Sequence, residues 1–261
     1  MTINDLINNA GLDRTDAELL CAHVLGKPRG FVIAHPEEVL DEHQSSMLVS
    51  FIERRKNGEP LAYIMGRKEF FGREFFVTKD TLIPRPATEA IVQDALEFLQ
   101  GKTPVTHEID SGISAYVCRF SDTPIETLID IGTGCGCIAI TLALEGVTQS
   151  MIAVDTSQAA LAVAMKNAKK LEAEKVQLSK GDGVNVVRNF HRPFLLVSNP
   201  PYIPAGTPVE KTVVEFEPHQ ALFGGSDGLG LIRPLLIAAK GNKNCVGVVM
   251  EMRTEQIKKL S

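Results

Sequence analysis

The chain has 261 residues, 44% of them hydrophobic, which is enough for one large domain and a small second one. Its 27 basic and 32 acidic side chains leave a net charge of -5, which argues against a broad nucleic-acid-binding face and leaves room for local basic patches. No secretory signal or membrane-spanning run is read in the sequence, and the expected location is the cytoplasm.

From Thr2 to about Asn57 the apolar residues recur at helical spacing. Ala17, Leu20, Cys21, Val24 and Leu25 follow the capping candidate Thr15, and Met47, Leu48, Phe51 and Ile52 form a second stripe. This predicts a small helical domain over residues 1–60, without catalytic character; His23, His35 and His43 are dispersed through it. Asn57-Gly58-Glu59-Pro60 ends the helical part. Tyr63 to Phe71 and Glu74 to Leu82 are rich in aromatic and β-branched residues around Phe71-Gly72-Arg73, which predicts a linking β-hairpin over 61–84. Arg85 is open to three roles: a ligand contact, an acidic neighbour, or a solvated position.

A second domain is expected over 85–261. It starts with a helix from Thr88 to Leu99, whose apolar face carries Ile91, Val92, Ala95, Phe98 and Leu99. Residues 101–124 are broken by Gly101, Pro104, Ser111 and Gly112; a short strand fits Ile113 to Phe120, with no assigned role. From Thr127 strands are expected near 127–131, 150–154, 176–179, 194–198 and 245–250. Helices are expected near 136–144, 157–171 and 228–240. The alternation implies an α/β fold, a parallel sheet with helices on both faces and ligand loops at the C-terminal ends of its strands.

The first of these strands runs into Asp130-Ile131-Gly132-Thr133-Gly134-Cys135-Gly136. Glycines there permit a tight turn and close approach of a ligand to the backbone where a helix begins. Position 137 is Cys where a dinucleotide site has its third glycine, which disfavours a nicotinamide cofactor. The order better suits a nucleoside joined to an amino acid, with Asp130 at the amino-acid end. Asp155 ends the second strand at a distance that suits ribose hydroxyls, and Asp182 follows the third within reach of an adenine amino group. Each aspartate alone fits a turn or a cap equally well. Three at successive strand ends, with the glycine loop, favour S-adenosylmethionine. The five cysteines are read as reduced thiols and no metal site is expected, since Cys135 and Cys137 lack zinc-ligand spacing.

The fourth strand, Phe194-Leu195-Leu196-Val197, ends in Ser198-Asn199-Pro200-Pro201-Tyr202. Proline steers Asn199 to an extended backbone, and the proline pair stiffens the chain up to Tyr202. The Asn199 side-chain carbonyl and the Pro200 backbone carbonyl offer two acceptors for a planar NH2 group, and the Tyr202 ring can lie against its flat face. Such acceptors tighten as a conjugated nitrogen gains positive charge during methyl transfer.

Together these segments resemble the release-factor glutamine methyltransferases, the PrmC/HemK-like family. The resemblance runs from the N-terminal helices to about residue 252. It includes Gly58-Glu59-Pro60, Glu69-Phe70, Ile83-Pro84-Arg85-Pro86 with Thr88-Glu89, Asp130 to Gly136, Asp155, Asn199 to Tyr202, Phe216-Glu217-Pro218, Ala221-Leu222 and Gly224 to Leu229.

The resemblance implies a Rossmann-like methyltransferase sheet. It also implies methyl transfer from S-adenosylmethionine to the glutamine of the Gly-Gly-Gln tripeptide in class I peptide-chain release factors, leaving S-adenosylhomocysteine. Gly132, Thr133, Gly134, Cys135, Gly136, Asp155, Gly183 and Asn199 would line the cofactor site, and Asn199, Pro200, Pro201 and Tyr202 would grip the glutamine. The helical domain would recognise the release factor. Stable nucleic-acid or membrane binding is not expected.

Two departures stand out. Ala87 replaces the family's acidic residue. The chain stops at Ser261 where the family continues into an antiparallel hairpin, so strand 245–250 is expected to be an exposed edge, from missing C-terminal strands. Two alternatives stay open: an adenine N6-methyltransferase on nucleic acid, which shares Asn-Pro-Pro-Tyr, and a cofactor-binding module without turnover. Residues 1–80, with ten basic and thirteen acidic side chains, disfavour the first, and the intact motif argues against the second.

Overall fold

The computed structural model describes residues 1–102 and 104–260. In chain order, α1 (Ile3–Asn8), α2 (Arg14–Leu25), α3 (Arg29–Ala34), α4 (Glu42–Lys56) and α5 (Leu61–Met65) come first, followed by β1 (Arg67–Phe70) and β2 (Arg73–Phe76). Then come α6 (Glu89–Leu99), β3 (His107–Asp110), β4 (Ile113–Arg119), β5 (Thr127–Ile131), α7 (Cys137–Leu144), β6 (Ser150–Asp155) and α8 (Gln158–Lys170). The rest is β7 (Val176–Lys180), α9 (Gly183–Asn189), β8 (Phe194–Ser198), α10 (Lys211–Phe216), α11 (His219–Leu222), α12 (Ile232–Gly241), β9 (Cys245–Arg253) and α13 (Thr254–Ile257). The chain forms two units: Met1–Arg67 with Glu210–Phe216, and Lys68–Val209 with Glu217–Ser261.

The smaller unit is helical, and its helix starts follow from the sequence. Thr2 and Asp41 each form a reciprocal cap with the residue three positions on, Asp5 and Gln44. Asp13 accepts from the Thr15 N–H, and Gly26, at φ 62°, ends α2. Ile3, Leu6, Leu20, Cys21, Val32, Leu48 and Ile52 make the core. Buried Glu18 is held between Arg14 and Arg29, each at 2.8 Å; the Arg14 hydrogen bond and then that of Arg29 keep its carboxyl below the usual range.

The expected strand from Tyr63 is corrected at its start. Pro60, at φ -59°, opens α5 and Gly66, at φ 68°, closes it, so Tyr63 and Ile64 are buried from a helix despite their β-type composition. The hairpin strands are short and end at Phe76, not Leu82. Phe71 (φ 51°) and Gly72 (φ 71°) make its two-residue turn, the left-handed pair that a type I′ hairpin requires.

The larger unit is built on a seven-stranded sheet of order β3-β4-β9-β8-β5-β6-β7. The five strands from β9 to β7 are parallel, and β5 and β8, buried along their whole lengths, form its centre. After β5 the chain builds outward through β6 and β7, then returns to β8 on the other side and continues to β9. The order therefore reverses between β5 and β8, where a crevice opens at the strand ends. Phe194, Leu196, Val248 and Met250 pack with Leu229, Leu235 and Leu236 in the main core. Residues 228–231, expected to begin a helix, lie in the loop before α12; Asp227 accepts the Leu229 N–H there.

The expectation of an exposed edge at 245–250 is overturned. β4 pairs antiparallel with β9 from Ile113↔Arg253 to Arg119↔Gly247, and β3 caps β4 on the outside. The segment between α6 and β5 thus supplies an antiparallel hairpin at this edge. The outermost strand, β3, is only four residues long and its register shifts between Glu108 and Asp110, two features that blunt an open edge.

Candidate active site

A cleft of about 850 Å³, including open solvent at its mouth, lies at the C-terminal ends of the parallel strands. Gly132, Gly134, Asp155, Asp182, Gly183, Asn199 and Pro201 line it. Ile131 pairs with Ser198, so the glycine loop and Asn199 leave the sheet side by side at the reversal point. Asp80 to Leu82, Pro218, Gln220, Ala221 and Leu231 supply further wall; of these, Pro218 and Ala221 belong to segments of the family resemblance, and none was read as a site residue.

The loop after β5 is held by its neighbours in the sheet. The Gly132 and Thr133 N–H groups donate to the Val154 carbonyl, at 2.9 and 3.1 Å. Asp155 accepts the Gly134 N–H on Oδ2 (2.9 Å) and the Ser157 N–H on Oδ1 (2.8 Å), tying the ends of β5 and β6 together. Gly132 and Gly134 have φ of 75° and 56°, and a Cβ on either would meet nothing within 4 Å. Gly136 shares the left-handed backbone, at φ 84°, and a Cβ there would also crowd Ile140 Cδ1 (2.8 Å) and Ala164 Cβ (3.2 Å). Gly183 is a packing glycine, with its missing Cβ 2.3 Å from Ile131 Cγ2.

Asp130 is buried behind this loop, and Thr133 and Cys135 within it are buried as well. The Thr133 hydroxyl donates to Asp130 Oδ2 at 2.7 Å, while Asp130 Oδ1 has no hydrogen-bond partner among the described residues. Burial pushes the Asp130 carboxyl up to about 7, against the Thr133 hydrogen bond that lowers it. The Cys135 carbonyl accepts from Asn167 Nδ2, which also donates to the Phe76 carbonyl. A hydrogen bond with Cys135, then burial, holds the Cys137 thiol well above its usual range. Asp182 caps α9: Oδ1 accepts the Val184 N–H and Oδ2 the Asn185 side chain, both at 2.9 Å.

At the tip of β8, Asn199 Nδ2 donates to Thr88 Oγ1 at 2.9 Å, Thr88 donates to Glu251 Oε2 at 2.7 Å, and the Tyr202 hydroxyl donates to Glu251 Oε1 at 2.9 Å. Pro200 is buried between Asn199 and Pro201. Burial and then the Glu251 charge raise the Tyr202 phenol far beyond its usual range. Burial also raises the Glu251 carboxyl, opposed by the side chains of Thr88, Tyr202 and Asn199 and by the Arg85 charge. Glu251 gave no signal in the sequence, because a single acid in an apolar strand has no spacing partner.

The backbone after Asn199 is clamped by close approach. Gln256 Nε2 donates to the Tyr202 carbonyl at 2.8 Å. A Cβ on Gly224 would lie 2.3 Å from the Pro201 oxygen, and one on Gly228 would lie 2.2 Å from the Tyr202 oxygen. Arg85 has an acidic neighbour: it pairs with buried Glu217, which also accepts the Ile83 N–H at 3.1 Å. Ala87 falls in the 3-10 turn Pro86–Thr88.

Residues 4–66 match the PrmC N-terminal domain and residues 105–218 the methyltransferase small domain. The chain is 35% identical over 240 residues to the release factor glutamine methyltransferase of Bordetella pertussis, covering 92% of this chain and 81% of that protein. It is 37% identical over 229 residues to the proteins of the same name from Coxiella burnetii and Pseudomonas aeruginosa, in each case covering 87% of this chain and 74% of the relative. The chain belongs to the release factor glutamine methyltransferase family.

Proposed function

We propose that this protein transfers a methyl group from S-adenosylmethionine to the side-chain nitrogen of the glutamine in the Gly-Gly-Gln tripeptide of a class I release factor. The observation that carries this reading is Asn199 at the sheet's reversal point, its Nδ2 engaged by Thr88 and its carbonyl oxygen left for a ligand in the cleft it lines. Family membership supplies the substrate class.

The residues fit the cofactor. Gly132 and Gly134 leave open space where side chains would otherwise stand, Asp130 Oδ1 is unpartnered among the described residues, and each Asp155 oxygen retains acceptor capacity. When bound, S-adenosylmethionine supplies an electrophilic methyl group on a sulfonium. We assign Asp130 to the amino-acid end, Asp155 to the ribose, Asp182 and Gly183 to the base side, and Gly132 to Gly136 to the turn that admits the ligand.

Asn199 Oδ1 and the Pro200 carbonyl accept the two amide hydrogens of the substrate glutamine, with Pro201 and Tyr202 shaping the backbone around it. The glutamine nitrogen is conjugated and weakly nucleophilic; the two acceptors orient it and stabilise the positive charge it gains. The bound sulfonium would supply the methyl group and keep the electron pair of the S–C bond, and the methylated nitrogen, held by these two acceptors, would lose its extra proton to water. Residues 1–60 are assigned to release-factor recognition, 61–84 to the linker and 85–261 to catalysis, with the cytoplasm as the site of action. Among the described residues no helix is long and apolar enough to cross a membrane.

Incubation with labelled S-adenosylmethionine and either purified release factor or DNA tests this reading. Label is expected in the release factor, and Asn199→Ala is expected to lower kcat by roughly 100-fold with little change in cofactor affinity. Label in DNA alone selects adenine chemistry, and cofactor binding without any transfer selects a non-catalytic module.

A further inference from the structure

Glu251 sits on β9 one residue past Met250, which pairs with Ser198, so it lies beside the strand tip that carries Asn199. It is 1% exposed, and neither it nor Thr88 lines the cleft. Its role must therefore pass through another residue. The hydrogen bonds define which one.

An ionised carboxylate only accepts hydrogen bonds. Glu251 takes the Thr88 hydroxyl proton on one oxygen and the Tyr202 hydroxyl proton on the other. A hydroxyl has one proton to give, so Thr88 Oγ1 can meet Asn199 only as an acceptor, and it receives Nδ2 at 2.9 Å. The Asn199 amide is thereby locked with its nitrogen inward and its carbonyl oxygen on the opposite side. A neutral group at 251 that could donate to Thr88 would free the Thr88 proton for Asn199 and permit the reverse orientation. That reversed amide would face an incoming NH2 group with a second NH2 group.

We propose that Glu251, acting chiefly through Thr88 and also by its own attraction for the Asn199 Nδ2 group, is a positioning residue that fixes the Asn199 amide so that it presents its carbonyl oxygen to the substrate nitrogen. The inference rests on the glutamine methylation proposed above and deepens it: discrimination in favour of an NH2 donor is set by a buried charge one hydroxyl away from the contacting side chain. Tyr202 shares the same carboxylate, so the strand tip and the residue three positions after it are held by one group. Thr88 enters the arrangement from the start of α6, in the segment Pro84-Arg85-Pro86-Ala87-Thr88, which gives that segment a function beyond its turn.

The test measures kcat and KM for the release factor and the Kd for S-adenosylhomocysteine in wild type, Thr88→Val, Thr88→Ser, Glu251→Gln and the double variant Thr88→Val/Glu251→Gln. Thr88→Val keeps the shape and removes the hydroxyl; it is expected to lower kcat roughly 10-fold to 100-fold while KM and the Kd stay within about threefold. Thr88→Ser restores the hydroxyl and is expected to recover most of kcat. Glu251→Gln is expected to lower kcat alone and to add much less than its own single-variant loss to Thr88→Val, the non-additivity of groups acting largely in series.

Equal impairment by Val and Ser, additive losses in the double variant, or a parallel loss of S-adenosylhomocysteine affinity would overturn the proposal. A wild-type protein that methylates no release factor would contradict the proposed function instead. The orientation is then read directly, from a nuclear Overhauser contact between the Asn199 Nδ2 protons and the Thr88 methyl group; its presence supports the lock and its absence overturns it.

Discussion

At the scale of single residues, two kinds of carboxylate stand at the ends of β5 and β6, one lining the cleft and one buried behind it. Asp155 spends each oxygen on a backbone N–H and organises the loops, whereas Asp130 is wholly buried with one oxygen unpartnered among the described residues. The unfolded chain releases the Asp130 proton near the ordinary value of 3.8, and the folded protein holds it up to about 7. Between these values the native state binds the extra proton, so this group's contribution to stability falls as pH rises from about 4 to 7 and then levels off. Denaturant titrations of wild type and Asp130→Asn without cofactor check this: the stability difference in favour of Asn should grow across that window. A pH-independent difference would refute the assignment. Asp130, Asp155 and Asn199 were legible in the sequence because each stands at the end of an apolar strand. Thr88 and Glu251 were not, since their partnership joins residues 163 positions apart and depends on which strands are neighbours.

At the scale of elements, the site depends on backbone segments that touch where a side chain would not fit. Gly228, at φ 73°, lets its loop meet the Tyr202 carbonyl, and Gln256 at the start of the last turn binds the same oxygen. Gly228→Ala is expected to cost about 1–3 kcal/mol by forcing these backbones apart and adding left-handed strain. It should also lower kcat, because the displaced backbone continues from Asn199; urea unfolding with kinetics on the folded fraction measures both. Stability loss with unchanged kcat would separate the loop from the site. The glycines of this loop were readable as a family motif, but their partners were not. Helix α5 was missed for a related reason: Tyr63 and Ile64 favour strands by composition, while Pro60 and Gly66 set the local backbone and burial against Leu20 and its neighbours rewards a helix.

At the scale of the whole molecule, the alternation of strands and helices from Thr127 onward was legible because parallel strands buried on both faces read as continuous apolar runs. The hairpin β3–β4 was legible only as a possible strand, since its partner β9 lies more than 120 residues later and pairing at that range leaves no local pattern. Replacing residues 105–121 by a short Gly/Ser linker should uncover the apolar strand β9 and produce concentration-dependent association, measured by light scattering. A monomeric, equally stable product would show that the hairpin does not protect this edge. The central claim, methylation of one glutamine amide, is tested most directly by fragmentation mass spectrometry of release factor after incubation with the protein and S-adenosylmethionine. A single methyl group on the side-chain nitrogen of the Gly-Gly-Gln glutamine, and none when that glutamine is replaced by alanine, is the result predicted; a methyl group elsewhere, or one that persists in the alanine variant, would contradict it.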